Sequence, residues 1–325
     1  MNSKTTGARI GALAFILAIL LAPTAYSQEK FPTKPIILVI PWAAGGGQDN
    51  SARAITPQVG AILGQPLVIV NKPGAASATG HISVQDAAPD GYTLVQTSTP
   101  IITLQYLHPS SGVSFKKLEP IVLFSYSPAA IFVKSDSPYN TLKKLVDYAK
   151  ANPGKARLAN STNGGIWHIS GMAFAKEAGI KITHVSTKGS AADANMVLGG
   201  HVEGMVGGPG DVYHLVKGGK LKMIAIAEPE RSKLLPDVPT FKESGLNLVL
   251  FSYYSWLGPK GLAPEKVRTI YEAVKKAAES KEYRDFCANQ AVTISVMGPK
   301  EFAKFLEETD RRYKTFIEES GIKAE

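Results

Sequence analysis

Ile36-Ile37-Leu38-Val39-Ile40-Pro41-Trp42-Ala43-Ala44-Gly45-Gly46-Gly47-Gln48-Asp49-Asn50 holds a strand, a glycine-rich loop and the start of a helix. Five apolar residues in a row, stopped by a proline, predict a strand covered on both faces, as in parallel sheets. Ala43–Gly47 is then a loop, and Asp49 or Asn50 can cap the helix after it. Ala52, Ile55, Val59, Ile62 and Leu63 recur at helical spacing up to Gly64, with Pro57 expected to kink the helix. Leu67–Val70 predicts the next strand, Asn71–Gly74 a turn, Gly80–Ala87 a helix and Tyr92–Gln96 a third strand. Strand, helix, strand, helix, strand is the doubly wound α/β pattern.

The pattern then restarts. Strands are expected at Ala129–Val133, Leu158–Ala159, Ile182–Val185, Val202–Val206 and Met223–Ile226. Helices are expected over Leu142–Ala151, Trp167–Gly179 and from Gly189 to Leu198, with Gly207–Gly210 as a loop. After the apolar stretch Leu248–Leu257, Pro264 and Pro299 each start a helix. This last third has too few strands for a sheet of its own, so it should return to the first lobe. The expectation is an α/β chain of two lobes, each a sheet flanked by helices: 28–125 with 252–325, and 126–251. Its 325 residues suit about two domains. The chain should cross between lobes near Phe124–Ser127 and Phe251–Tyr254.

Lys4 and Arg9 precede an apolar run of about 13 residues, Ile10–Ala22, followed by Ala25-Tyr26-Ser27. A basic start, a short apolar core and a small-x-small end predict a signal peptide over 1–27, cleaved after Ser27. The run is short for a membrane span, which needs about 20 apolar residues, although an uncleaved anchor is the alternative. The mature protein is expected to be exported, soluble and bacterial. The formal charge of +9 is too diffuse to name a partner, and no nucleic acid is expected. A single cysteine, Cys287, excludes an internal disulfide, an iron–sulfur cluster and a Cys-rich zinc site. Six scattered histidines show no metal-ligand spacing, so neither metal nor cofactor is expected.

Nucleophile elbows, phosphate-binding loops, zinc-protease and calcium-loop motifs are absent, and Asn50 breaks the dinucleotide fingerprint. The positive signals are three loops, Ala43–Gly47, Ser161–Gly165 and Lys188–Ser190, each after a strand and before a helix. Free first-turn N–H groups and the helix dipole favour an anion there. In open α/β sheets this is the ligand side. The loops therefore point to a small anionic ligand held between the lobes.

Phe31-Pro-Thr-Lys-Pro-Ile36, Gly45-Gly-Gly47-x-Asp49, Asn71-Lys-Pro-Gly74, Ala88-Pro-Asp-Gly-Tyr-Thr-Leu94, Lys188-Gly-Ser190 and Leu235-Pro-Asp-Val-Pro-Thr240 resemble, in order, Bug-type (TctC-like) substrate-binding proteins. The resemblance spans nearly the whole mature chain. It implies a two-lobed type II periplasmic binding-protein fold with the cleft between lobes. It further implies a monomer that binds a small carboxylate and serves the large and small membrane subunits of a tripartite tricarboxylate transporter. Carried over by position, Trp42, Ala43, Ala44, Gly45, Gly46, Gly47, Gln48 and Asp49 would clasp one carboxylate. Ser161, Thr162, Asn163, Gly164 and Gly165, with His168, would hold the ligand from the other lobe. Ser98, Thr99, Lys188, Gly189 and the segment Gly208–Asp211 would line the cleft. The chain departs from the family pattern at Trp42-Ala-Ala-Gly-Gly, Ser161-Thr-Asn-Gly-Gly, Val185-Ser-Thr-Lys-Gly and Gly207-Gly-Pro-Gly210. These are cleft loops, so the ligand, whether a di- or tricarboxylate, an amino acid or an aromatic acid, is not inherited.

Two other readings stay open on sequence. One is a secreted hydrolase or isomerase using Ser161, His168 or Asp211, which would need a nucleophile and base within hydrogen-bond reach. The other is a ligand-sensing partner of a two-component system. Trp42, Trp167 and Tyr213 suit an aromatic-lined cleft, or else Trp167 packs within its helix and Trp42 at the sheet edge.

Overall fold

The computed structural model of the chain describes residues 31–161 and 165–320. The expected signal peptide, and Thr162, Asn163 and Gly164 of the second cleft loop, lie outside the described residues.

The first lobe is built on strands β1 (Ile36–Ile40), β2 (Leu67–Asn71), β3 (Thr93–Thr97), β4 (Leu118–Pro128), β10 (Phe251–Pro259) and β11 (Thr293–Met297). They form one sheet in the order β11-β4-β10-β3-β1-β2. β1 runs parallel to β2 and β3, whereas β10 pairs antiparallel with both β3 and β4. Helices α1 (Gly47–Leu63), α2 (Ala78–Gln85), α3 (Pro100–Leu107), α8 (Pro264–Ala278), α9 (Lys281–Gln290) and α10 (Pro299–Ser320) cover it. The unbroken apolar run of β1 has the expected cause, because both faces are packed. Ile36, Leu38 and Ile40 face Ala52, Ile55 and Val59 of α1 and Ile270 and Val274 of α8. Val39 faces the opposite cluster, with Ile101 of α3 and Phe302 and Leu306 of α10. Each such side chain, fully buried, contributes roughly 1.5–3 kcal/mol, so the two-residue alternation fixes the register. Ile37 is the exception and is 41% exposed. Pro57 does not interrupt α1, which runs from Gly47 to Leu63.

The second lobe has β5 (Ala130–Lys134), β6 (Arg157–Ala159), β7 (Thr183–Val185), β8 (Gly204–Gly207) and β9 (Leu221–Ile226). Their order is β7-β6-β8-β5-β9, with β5 antiparallel to both neighbours. Helices α4 (Leu142–Ala151), α5 (Ile166–Glu177), α6 (Ser190–Leu198) and α7 (Pro209–Lys217) flank it. Both sheets are thus mixed, not wholly parallel as the doubly wound pattern suggests.

The eleven-residue β4 is unexpected from sequence, as are α3 and α7. Glu119, Pro120 and the closing Pro128 mask the β4 run, yet it forms the longest ladder of the sheet with β10. The two strands lie side by side where the chain passes between sheets. Ala129, between β4 and β5, donates its N–H to Leu250 O and accepts from the Ala227 N–H. The expected helices over Leu142–Ala151 and from Pro264 and Pro299 are present.

Candidate functional site

A cleft of about 840 Å³ opens between the lobes. The first turns of α1, α5 and α6 and the start of α7 all reach it.

In the first lobe the loop Trp42–Gly47 is shaped from beneath. Gly45 takes a positive φ of 86°, which a glycine tolerates without strain. Its N–H donates to Asp49 Oδ2 at 2.9 Å. Arg53 grips the same carboxylate at 2.8 and 3.0 Å, and Asn71 Nδ2 donates both to Asp49 Oδ1 and to Trp42 O. Burial opposes the Asp49 charge, but these hydrogen bonds outweigh it and hold the carboxyl below its usual range. Asp49 is 1% exposed and does not line the cleft, so it sets the loop's shape and does not itself meet a solute. With Asp49 used this way, the N–H groups of Gly46, Gly47 and Gln48 find no acceptor among the described residues.

The second lobe repeats the device with a residue that no sequence motif marks. Asp193, fully buried in α6, accepts from Ser161 N–H at 2.8 Å and Ser161 Oγ at 2.7 Å on Oδ2. Its Oδ1 accepts from Thr187 Oγ1 at 2.7 Å. One carboxylate therefore ties the Ser161 and Lys188–Ser190 loops together. Burial pushes its pKa up, partly countered by these donors. Ser190 and Ala191 offer first-turn N–H groups without acceptors among the described residues.

Several expected residues do meet in one place. Trp42, Ala43, Ala44, Gly45, Gly46, Gly47, Gln48, Ser98, Ser161, Gly165, Lys188, Gly189 and Asp211 line the cleft. Others stand behind its wall. Thr99 is 1% exposed, and Gly208 is buried where an added Cβ would lie 2.6 Å from Ser127 Oγ and 2.9 Å from Trp167. His168 is buried, its ring edge-on to His184 at 4.9 Å. Burial lowers the pKa of both imidazoles, His184 to about 4. Ser161 Oγ donates to the Asp193 carboxylate at 2.7 Å, and the same buried carboxylate also takes the Ser161 N–H and Thr187 Oγ1, so it holds the shape of the loop.

Trp42 and Trp167 both face the cleft, joined by Tyr254 and Phe286, whereas Tyr213 stacks under Lys217 instead. The turn Ala75-Ala76-Ser77, with three consecutive positive φ values, supplies Ala76 and Ser77 to the wall. Pro73 and Gly74 of the Asn71–Gly74 turn also line the cleft, although the sequence marks that stretch only as a turn. Ser98, just after β3, and Ser252 of β10 share a hydrogen bond of 2.8 Å. Among the described residues lining the cleft, Lys188 is the only lysine or arginine and Asp211 the only carboxylate. An anion held here is held by backbone dipoles and hydroxyls far more than by counter-charge.

Residues 51–322 match the profile of the TctC family, described as the tripartite tricarboxylate transporter family receptor. A protein of Cupriavidus necator, named as a UPF0065 protein in the gbd 5' region, is 34% identical over 97% of this chain and 97% of its own. A solved TctC solute-binding protein from Polaromonas is 31% identical, with a TM-score of 0.73 over 89% of this chain and 99% of its own. The periplasmic binding protein BugD is 26% identical, with a TM-score of 0.81 over 91% of this chain and 100% of its own.

Proposed function

Because the chain belongs to the TctC family of periplasmic solute-binding receptors, we propose that it captures a small carboxylate in this cleft and delivers it to the membrane subunits of a tripartite tricarboxylate-type transporter. In this reading the chain reaches the periplasm through cleavage of 1–27. It acts as a monomer of two lobes, 28–125 with 252–325 and 126–251. The observation that carries the ligand class is the convergence of the α1, α5 and α6 N-termini, drawn from both lobes, on one cleft. Each terminus favours an anion by about 0.3–1 kcal/mol, more where water is excluded. The solute's carboxylate sits against Gly46, Gly47 and Gln48 of one lobe and the Ser161 and Ser190 loops of the other. Trp42, Trp167 and Phe286 accommodate its carbon body.

The test is a thermal-shift screen of the purified chain with mono-, di- and tricarboxylates, amino acids and aromatic acids, followed by calorimetry. A bound acid at 100 times its Kd stabilises the fold by about 2.7 kcal/mol. Failure of every acid to shift the transition overturns the proposal.

A further inference from the structure

Asp211 is a carboxylate set in a cleft proposed to hold a carboxylate, and no lysine or arginine pairs with it among the described residues. Its two oxygens have different surroundings. Oδ2 faces its own lobe and accepts from Ser190 Oγ at 2.8 Å and from Gly208 N–H at 3.2 Å, which caps α7. Oδ1 faces the other lobe. A Cβ placed on Gly47 would lie 3.3 Å from it, and as close to the Tyr254 hydroxyl. Burial pushes the Asp211 pKa up, countered by Ser190, Gly208 N–H and the neighbouring Trp167 indole, which favour the charged carboxylate. A carboxylate accepts about four hydrogen bonds, so capacity remains beside the α1 N-terminus.

Gly47 is also one of the groups that would clasp the solute's carboxylate. Two anions brought this close in a closing cleft repel, and each loses water. A hydrogen-bond donor lying between them removes the conflict, since it gives its proton to Asp211 while its neighbouring carboxylate takes the α1 N–H groups. Resting on the proposed carboxylate function, we propose that the solute is a 2-amino or 2-hydroxy carboxylic acid whose donor is received by Asp211 Oδ1. Asp211 then sets specificity by rejecting acids that bring only negative charge and carbon to this corner.

The test compares three matched series by calorimetry: propanoate, lactate and alanine; succinate, malate and aspartate; and 3-phenylpropanoate, phenyllactate and phenylalanine. In the wild type, the tightest-binding acid should carry the 2-substituent and exceed its unsubstituted parent by about tenfold or more, as a charge-assisted hydrogen bond allows. Asp211→Asn keeps the shape and removes the charge, and should shrink that ratio to within a few-fold while leaving the parent's affinity equal or higher. A parent acid that binds the wild type as tightly as its substituted forms overturns the inference and leaves the carboxylate function standing. A preference that survives unchanged in Asp211→Asn does the same. If no acid of these series binds while an acid of the wider screen that lacks a 2-amino or 2-hydroxy group does, the inference alone falls; if no acid of the wider screen binds, both fall. The wild-type comparison decides the matter even if the variant folds poorly.

Discussion

Substituting valine at Gly46 and, separately, at Gly45 should give opposite signatures, because these neighbours do different work. Gly46 is the N-cap of α1 with φ −79° and ψ 169°, a conformation open to any residue. An added Cβ there meets nothing closer than Ala43 O at 3.8 Å. Folding therefore loses only N-cap quality, within about 1 kcal/mol. The side chain would nevertheless stand over the N–H groups that face the cleft. One charge-assisted hydrogen bond contributes about 1.5–3 kcal/mol. Losing one weakens binding by roughly tenfold to a hundredfold, at about 1.4 kcal/mol per decade, and losing two by correspondingly more. Gly45 also has open space around its Cβ position, but its φ is +86°. Valine there is strained by roughly 1–2 kcal/mol, and should lower the melting temperature by several degrees, at about 2–4 °C per kcal/mol for larger domains. The assay is calorimetry with the tightest acid found for the wild type, paired with thermal melts without ligand. Gly46→Val with wild-type affinity would refute the backbone clasp. A fall in its melting temperature as large as that of Gly45→Val would show that the loop's shape, not its exposed N–H groups, requires the glycine.

The imidazoles of buried His81 and half-buried His184, each pushed down to about 4 chiefly by desolvation, should stay neutral at pH 5.5. Protonation then favours the unfolded chain, so their contribution to stability is complete above about 6.5 and is lost as pH falls toward about 4. Ring resonances followed by NMR check this, and titration of either near 6.5 contradicts the burial argument. Tryptophan fluorescence should report binding through Trp42 and Trp167, which line the cleft, while Trp256 is fully buried with its indole N–H on Gln96 and should stay silent. The double variant Trp42→Phe, Trp167→Phe should bind with no spectral change, and a persisting change would place the signal elsewhere. Gly208→Ala should lower stability by about 1–3 kcal/mol through overpacking against Ser127 and Trp167, read from denaturant melts. An unchanged midpoint would show that the wall behind the cleft yields freely.

Much of the fold is legible in the sequence because it is local. The β1 run, the glycine loop and the spacing of Ala52, Ile55 and Val59 specify strand, turn and helix from near neighbours alone, and α4 matches its expected span residue for residue. The three loops are recognisable as helix N-termini for the same reason, since free first-turn N–H groups come from helix geometry wherever a helix starts. Strand direction is not legible: β4 and β10 pair across more than a hundred residues, and the composition of neither says that its partner runs antiparallel. Nor are the roles of the aspartates. Asp49 and Asp211 both lie close after glycine-rich loops, and by sequence both belong at the ligand. Asp49 turns under its loop to meet Gly45, Arg53 and Asn71, while Asp211 presents one oxygen to the opposite lobe. Asp193 carries no motif at all, yet it holds Ser161 from 32 residues away. Chain-local propensity and periodicity determined the elements and the loops. Which side chain supports a loop and which one faces a solute was decided only when the tertiary packing brought distant donors to each carboxylate, because a hydrogen bond depends on where its partner lies in space and not on its place in the chain.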